Sequence, residues 1–238
     1  SEEKNILITA PTASGKTESF LFPILNHIIS SPQDEGIVAA FVYPTKALAK
    51  DQSLRIKDYA EKFGIVVEIM DGDTIAKPDP ETNVEDMDET NKIRLEILGR
   101  KPKILLTNFD FIHNRMWRKG VVDREFNDLF KNIKFLVIDE IHKYEGMHAS
   151  QVHQIIQRMR RVYGKFTIIG ASATIHDPKK FGGDLIGEPI EVINGKRRSG
   201  KLTLLILYPT KIGQKELMSD FTTKLLNDKH RVLCFSNS

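Results

Sequence analysis

Asn5-Ile-Leu-Ile-Thr-Ala10-Pro-Thr-Ala-Ser-Gly-Lys-Thr17 is the stretch that decides the fold. Asn5–Ala10 reads as a short apolar strand, the Pro-to-Gly segment breaks it, and a helical pattern runs on from Thr17 to Ser30. A strand that passes through Gly-Lys-Thr into a helix is the context a phosphate-binding loop requires. Backbone amides and the helix N-terminus point at the phosphates, Lys16 adds a point charge between the terminal ones, and the Thr17 hydroxyl can ligate Mg²⁺. Pro11, Thr12, Ala13, Ser14, Gly15, Lys16 and Thr17 are therefore the nucleotide-binding candidates. Ala10 departs from the general pattern, which has Gly there.

Working outward, apolar runs recur at Ile37–Tyr43, Ile65–Met70, Lys103–Thr107, Phe135–Ile138 and Thr167–Gly170. They lack clean polar alternation, as strands covered on both faces do. Helical patterns fall between them at Lys46–Phe63, Thr90–Leu98, Phe126–Lys131 and Ala149–Tyr163. The alternation predicts an α/β fold with a doubly wound, mainly parallel sheet flanked by helices. Every strand is followed by a polar cluster, and in such sheets ligands bind beyond the carboxyl ends of the strands. The fifth cluster, Asp139-Glu140-Ile141-His142, supplies what the phosphate loop lacks. Asp139 at the strand end can hold the Mg²⁺ shell, and Glu140 beside it can orient and deprotonate water.

The chain has 238 residues and a formal charge of +3. Residues 71–90 carry eight acids against Lys77, about −7, so the remainder carries about +10 and suits a polyanionic partner. Prolines 78 and 80 with few apolar residues predict an exposed, mobile insertion near 71–89. Cys234 is the single cysteine and cannot form an internal disulfide, which points to a reducing, intracellular compartment, the cytoplasm if the source is prokaryotic. No apolar run reaches the ~20 residues of a membrane helix, and no signal peptide is evident.

In order and spacing these clusters resemble superfamily 2 DExH-box helicases. Ala10–Thr17 is similar to their motif I, Tyr43-Pro44-Thr45-Lys46-Ala47-Leu48 to motif Ia, and Thr107-Asn108 to motif Ib. Asp139–His142 is similar to the DExH box, Ser172-Ala173-Thr174 to motif III, and Arg231–Ser238 to motif IV. Asp71-Gly72-Asp73-Thr74 and Tyr144–Val152 resemble the Lhr-like large helicases. Glu145 and Met147-His148-Ala149 depart from that branch, and CRISPR-associated helicase–nucleases share much of the pattern, including Glu18.

The resemblance implies an ATP-dependent nucleic-acid helicase or translocase with ATP and Mg²⁺ as cofactors. Residues 1–194 would be the first RecA-like domain, 195–200 a linker, and 201–238 the start of a second RecA-like domain, itself a partner of the first. Lys16, Asp139 and Glu140 are the implied catalytic residues, with Thr17 and Asp139 on the metal. His142, Ser172 and Thr174 are implied to couple nucleotide state to nucleic-acid grip. Pro44, Thr45, Lys46, Asp73, Thr74, Thr107 and Asn108 would contact the backbone of single-stranded or partly duplex nucleic acid, DNA more than RNA. The family's activating arginine lies in the second domain beyond these residues, so 1–238 alone is expected to bind nucleotide weakly without turnover. Rival readings are the motor of a helicase–nuclease and a nucleotide-gated binding module.

Other residues point elsewhere. His148 and His153 are five apart and do not share a helix face, against a metal pair. Trp117 is expected as a partly buried packing residue with base stacking as the alternative, and Arg158, Arg160 and Arg161 as a solvated helix face.

Overall fold

The structure, a computed structural model, describes residues 4–11, 14–72, 84–173, 175–195, 213–229 and 232, the side chains of 84–90 and 214 excepted. Thr12, Ala13, Asp73, Thr74 and Thr174, most of the 71–89 insertion, residues 196–212, and residues 233–238 with Cys234 lie outside the described residues.

Seven parallel strands form one sheet. They are β1 (Asn5–Thr9), β2 (Ala39–Val42), β3 (Val67–Ile69), β4 (Ile104–Thr107), β5 (Phe135–Ile138), β6 (Thr167–Ser172) and β7 (Ile190–Asn194), in the order β3-β4-β2-β5-β6-β1-β7. β1 is the penultimate strand, flanked on both sides, with Ile6 opposite Ile169 of β6 and Glu191 of the edge strand β7. Both faces of the sheet are covered. Ala39 and Phe41 of β2 pack with Phe20, Leu21 and Ile24 of α1 (Lys16–Ser30) and Ile56 of α2 (Lys46–Glu61). Ala40 and Val42 face the opposite way, toward Leu98, Phe111, Phe126, Ile156 and Leu185. Those belong to α3 (Val84–Gly99), α4 (Phe109–Trp117), α5 (Val121–Phe130), α6 (Gly146–Tyr163) and α7 (Pro178–Ile186). A strand whose alternate residues enter two different cores must be apolar throughout, which is why the runs showed no alternation.

Five elements depart from the sequence expectation. α4, α7 and β7 were not anticipated, and α5 begins five residues earlier than the Phe126 expected. α4 follows β4 through an Asn108 cap in a segment, FDFIHNRMW, with no long apolar period to announce it. α3 begins at Val84 rather than Thr90, so helix extends into the acid-rich stretch.

Chain contacts divide residues 1–198 from 199–238. In the second unit the described element is α8 (Gln214–Asn227). No helix among the described residues is long and apolar enough to cross a membrane.

Gly36 fixes the entry to β2. It has φ +73°, and an added Cβ would overlap the Leu129 carbonyl oxygen, which accepts the Ile37 amide at 2.8 Å.

Candidate active site

The strand order sorts the polar clusters along the carboxyl edge. The ends of β3, β4 and β2 carry Asp71, Thr107-Asn108 and Tyr43–Lys46, while those of β5, β6 and β1 carry Asp139–His142, Ser172 and the phosphate loop. Neighbouring strands lie ~4.8 Å apart, so the edge from β4 to β1 spans about 19 Å.

The phosphate loop leaves β1 at Ala10, whose amide donates to the Ser172 carbonyl at 3.1 Å. Pro11 is partly buried. Gly15 caps α1 with φ 84°, a left-handed turn that suits a residue without Cβ. Lys16 Nζ donates to the Ala10 carbonyl at 2.8 Å, which folds the lysine back over its own loop. Thr17 is buried, and its Oγ1 donates to Gln52 Oε1 at 3.3 Å. Ser14 Oγ and Glu18 Oε2 are buried with no hydrogen-bond partner among the described residues, so the loop retains polar capacity.

Asp139 is 7% exposed, and its Oδ1 accepts the Glu140 amide at 2.9 Å. Burial pushes its carboxyl from 3.8 up to about 6; the Glu140 charge adds to the rise, and the amide bond and Lys16 oppose it. Glu140 adopts φ 48°, ψ 43°, a conformation rare outside glycine. Glu140 Oε2 lies 3.3 Å from His142 Nδ1, and the same nitrogen is 2.9 Å from Ser172 Oγ. His142 thus joins the acid pair to the end of β6.

The other half of the edge holds two adjoining cavities. The larger, about 340 Å³, is lined by Tyr43, Pro44, Thr45, Lys46, Ala49, Asp71, Thr107, Asn108 and Asp110. The smaller, about 60 Å³, shares Tyr43, Pro44, Asn108 and Asp110 and reaches Tyr144, His148 and Gln151. Two candidate backbone contacts are already committed as helix caps. Thr45 Oγ1 accepts the Leu48 amide at 3.4 Å, and Asn108 Oδ1 accepts the Phe111 amide at 2.8 Å. What they leave available is the Asn108 amide N–H₂ and the partly positive first turns of α2 and α4. Thr107 Oγ1 and the Tyr43 hydroxyl are buried without a hydrogen-bond partner among the described residues. Burial, with the nearby Asp139 charge, raises the Tyr43 hydroxyl well above its ordinary range.

Gln52, Tyr43 and Asp110 were missed by sequence reasoning. Tyr43 opens the motif Ia stretch and Asp110 lies two residues past Asn108, and those positions were their only signal. Gln52 lies mid-helix with none. His153 Nδ1 meets the Asp184 and Leu185 carbonyls, both at 3.1 Å, so it braces α7. Arg158 and Arg160 are not a free solvated face. Arg158 meets His113 Nε2 at 2.9 Å, and Arg160 pairs with Glu188 at 2.7 Å. Trp117 is 62% exposed, more than a packing residue would be, and lies edge-on to His113 beneath Arg158.

Residues 1–181 match the family model for the DEAD/DEAH box helicase. The chain is 29% identical over 250 residues to the uncharacterized ATP-dependent helicase YprA of Bacillus subtilis, covering 99% of this chain and 30% of that protein. It is 28% identical over 191 residues to the ATP-dependent helicase Lhr-Core of Methanocaldococcus jannaschii, covering 78% of this chain and 22% of that protein. Among solved structures, the DUF1998 helicase MrfA superposes with TM-score 0.76 at 30% identity, over 99% of this chain and 34% of that one. The same helicase bound to DNA and AMPPNP gives 0.71 at 29% identity, over 95% and 30%. This chain spans about a third or less of the length of these relatives.

Proposed function

Because the chain belongs to the DEAD/DEAH box helicase family, we propose that it forms the ATP-binding part of an ATP-driven nucleic-acid motor. The observation that carries this is the division of one sheet edge into two working halves. Lys16, Thr17, Asp139 and Glu140 gather at the ends of β1 and β5, and two capped helix N-termini open on the cavity beside them. Lys16 and the loop amides would bind the phosphates. Glu140 would take the proton from the attacking water, with His142 beside its carboxylate. The cavity side, through Pro44, Thr45, Lys46, Thr107 and Asn108, would hold a sugar–phosphate backbone, and Asp73 and Thr74 would extend that row. Such contacts position a strand without reading its bases. DNA is the preferred partner in this reading because the MrfA helicase was solved with DNA bound.

The donor set fits Mg²⁺. Thr17 Oγ1 and a buried Asp139 carboxylate are hard oxygen ligands, and Mg²⁺ is usually held by one or two protein groups, waters and substrate phosphates. Bound there, the ion would neutralise phosphate charge. We also read residues 1–194 as the first RecA-like domain, 195–200 as a linker and 201–238 as the start of a second, with Ser172 and Thr174 relaying nucleotide state through His142.

Two variants of the intact protein test the reading. Lys16→Ala should abolish most nucleotide binding, and Glu140→Gln should bind nucleotide normally while turnover falls by roughly 10²-fold or more. Normal turnover in Glu140→Gln would overturn the assigned base.

A further inference from the structure

α2 touches both halves of the edge. Lys46 and Ala49 line the large cavity. Further along the same helix, Gln52 accepts the Thr17 hydroxyl at 3.3 Å, and Arg55 pairs with Glu18, the next residue of α1. Lys46, Ala49, Gln52 and Arg55 are spaced i, i+3, a ridge that winds over ~14 Å of helix from the cavity to the phosphate loop. α2 packs on the sheet through Ala49, Ser53, Ile56 and Ala60, which are buried, so it moves as a unit or not at all.

The chemistry of the two contacts is specific. A hydroxyl that offers its oxygen to a cation must send its proton elsewhere. Here the proton goes to Gln52 Oε1, an uncharged acceptor, at 3.3 Å. Glu18 carries negative charge in the first turn of α1, where a nucleotide's phosphates would also seek the helix N-terminus. Its side chain is 19% exposed, and Arg55 offsets its charge.

We propose that Gln52 is a positioning residue for Thr17, and that through Gln52 and Arg55 α2 ties occupancy of the strand cavity to the phosphate loop. This rests on the division of the edge into nucleotide and strand halves given above. A ligand at the first turn of α2 that shifts the helix changes the Thr17 and Glu18 contacts together, and linkage requires that nucleotide in turn alter strand affinity.

The test titrates the intact protein with a fluorescent ADP, in Mg²⁺ and in EDTA, with and without an excess of single-stranded oligonucleotide. Gln52→Ala should weaken binding in Mg²⁺ by roughly tenfold, the scale of losing a group that orients a metal ligand, and leave binding in EDTA unchanged. It should also lose the oligonucleotide-induced shift in nucleotide affinity that the parent shows. Gln52→Glu keeps the acceptor and should restore Mg²⁺-dependent binding. Equal affinity of parent and Gln52→Ala in Mg²⁺ overturns the proposal. So does an equal loss in EDTA, which marks a packing defect. If Lys16→Ala binds nucleotide like the parent, the nucleotide half of the proposed function fails instead. If the parent binds no oligonucleotide, the strand half and the α2 linkage fall together, while the Thr17 comparison in Mg²⁺ is decided separately.

Discussion

Asp139 is held in a condition that a residue selected only for stability would avoid. Its carboxyl loses a proton near 3.8 in an unfolded chain and near 6 in the fold, chiefly because it is buried. The folded state therefore binds more protons than the unfolded state between those values, and stability falls as pH rises through the window. Above about pH 6 the ionised carboxylate costs the fold on the order of 2–3 kcal/mol. Asp139→Asn keeps the acceptor for the Glu140 amide and removes the charge. In thermal melts without nucleotide it should be more stable than the parent by about 2 kcal/mol at pH 7 and indistinguishable from it near pH 4. A variant no more stable than the parent at pH 7 would mean that water or a cation already solvates the carboxylate. The same charge is what a divalent cation requires, so the site trades stability for binding. Glu140 makes a similar trade through its backbone, since a left-handed turn at a residue with a Cβ costs about 1–2 kcal/mol.

At the scale of elements, the departures from the sequence reading have physical causes. The six strands between Asn5 and Gly170 were legible because burial on both faces leaves long uninterrupted apolar runs. β7 was not, since it lies at the sheet margin and its residues 191–194 are exposed or half-exposed. α4 and α7 are nine residues each, too short to establish a period, and were marked only by Asn108 and Asp177 as caps. In the candidate site, Lys16, Thr17, Asp139 and Glu140 were legible because their spacing from strand ends is fixed by chemistry. Gln52 was not, because nothing in a sequence says which residue of α2 meets α1. Gly36 shows the same asymmetry. Its importance rests on a left-handed φ and on the close Leu129 carbonyl, both set by how α5 runs over the loop before β2. Gly36→Ala should destabilise the domain by about 2–4 kcal/mol in denaturant melts. A loss below ~0.5 kcal/mol would show that the loop and α5 can part at little cost.

At the scale of the molecule, the charge reading places about +10 outside residues 71–90, and the sheet brings six loops from distant parts of the chain to one edge. The insertion of β1 between β6 and β7 has a kinetic consequence. Its partners β6 and β7 come late in the chain, so the first strand made must wait for the last ones before it can be inserted. Contacts that distant close slowly, and they close after local helices and hairpin-scale contacts have formed. The phosphate loop hangs from β1, while the acids it needs hang from β5, two places away across β6. Bound nucleotide should accordingly leave the refolding rate unchanged and slow unfolding, because the transition state for folding lacks the assembled loop. Stopped-flow refolding and unfolding of the purified protein, with and without Mg²⁺–ADP, would show it, and faster refolding with nucleotide would mean that β1 docks early. The nucleotide can hold the finished sheet together, but it arrives too late to help build it.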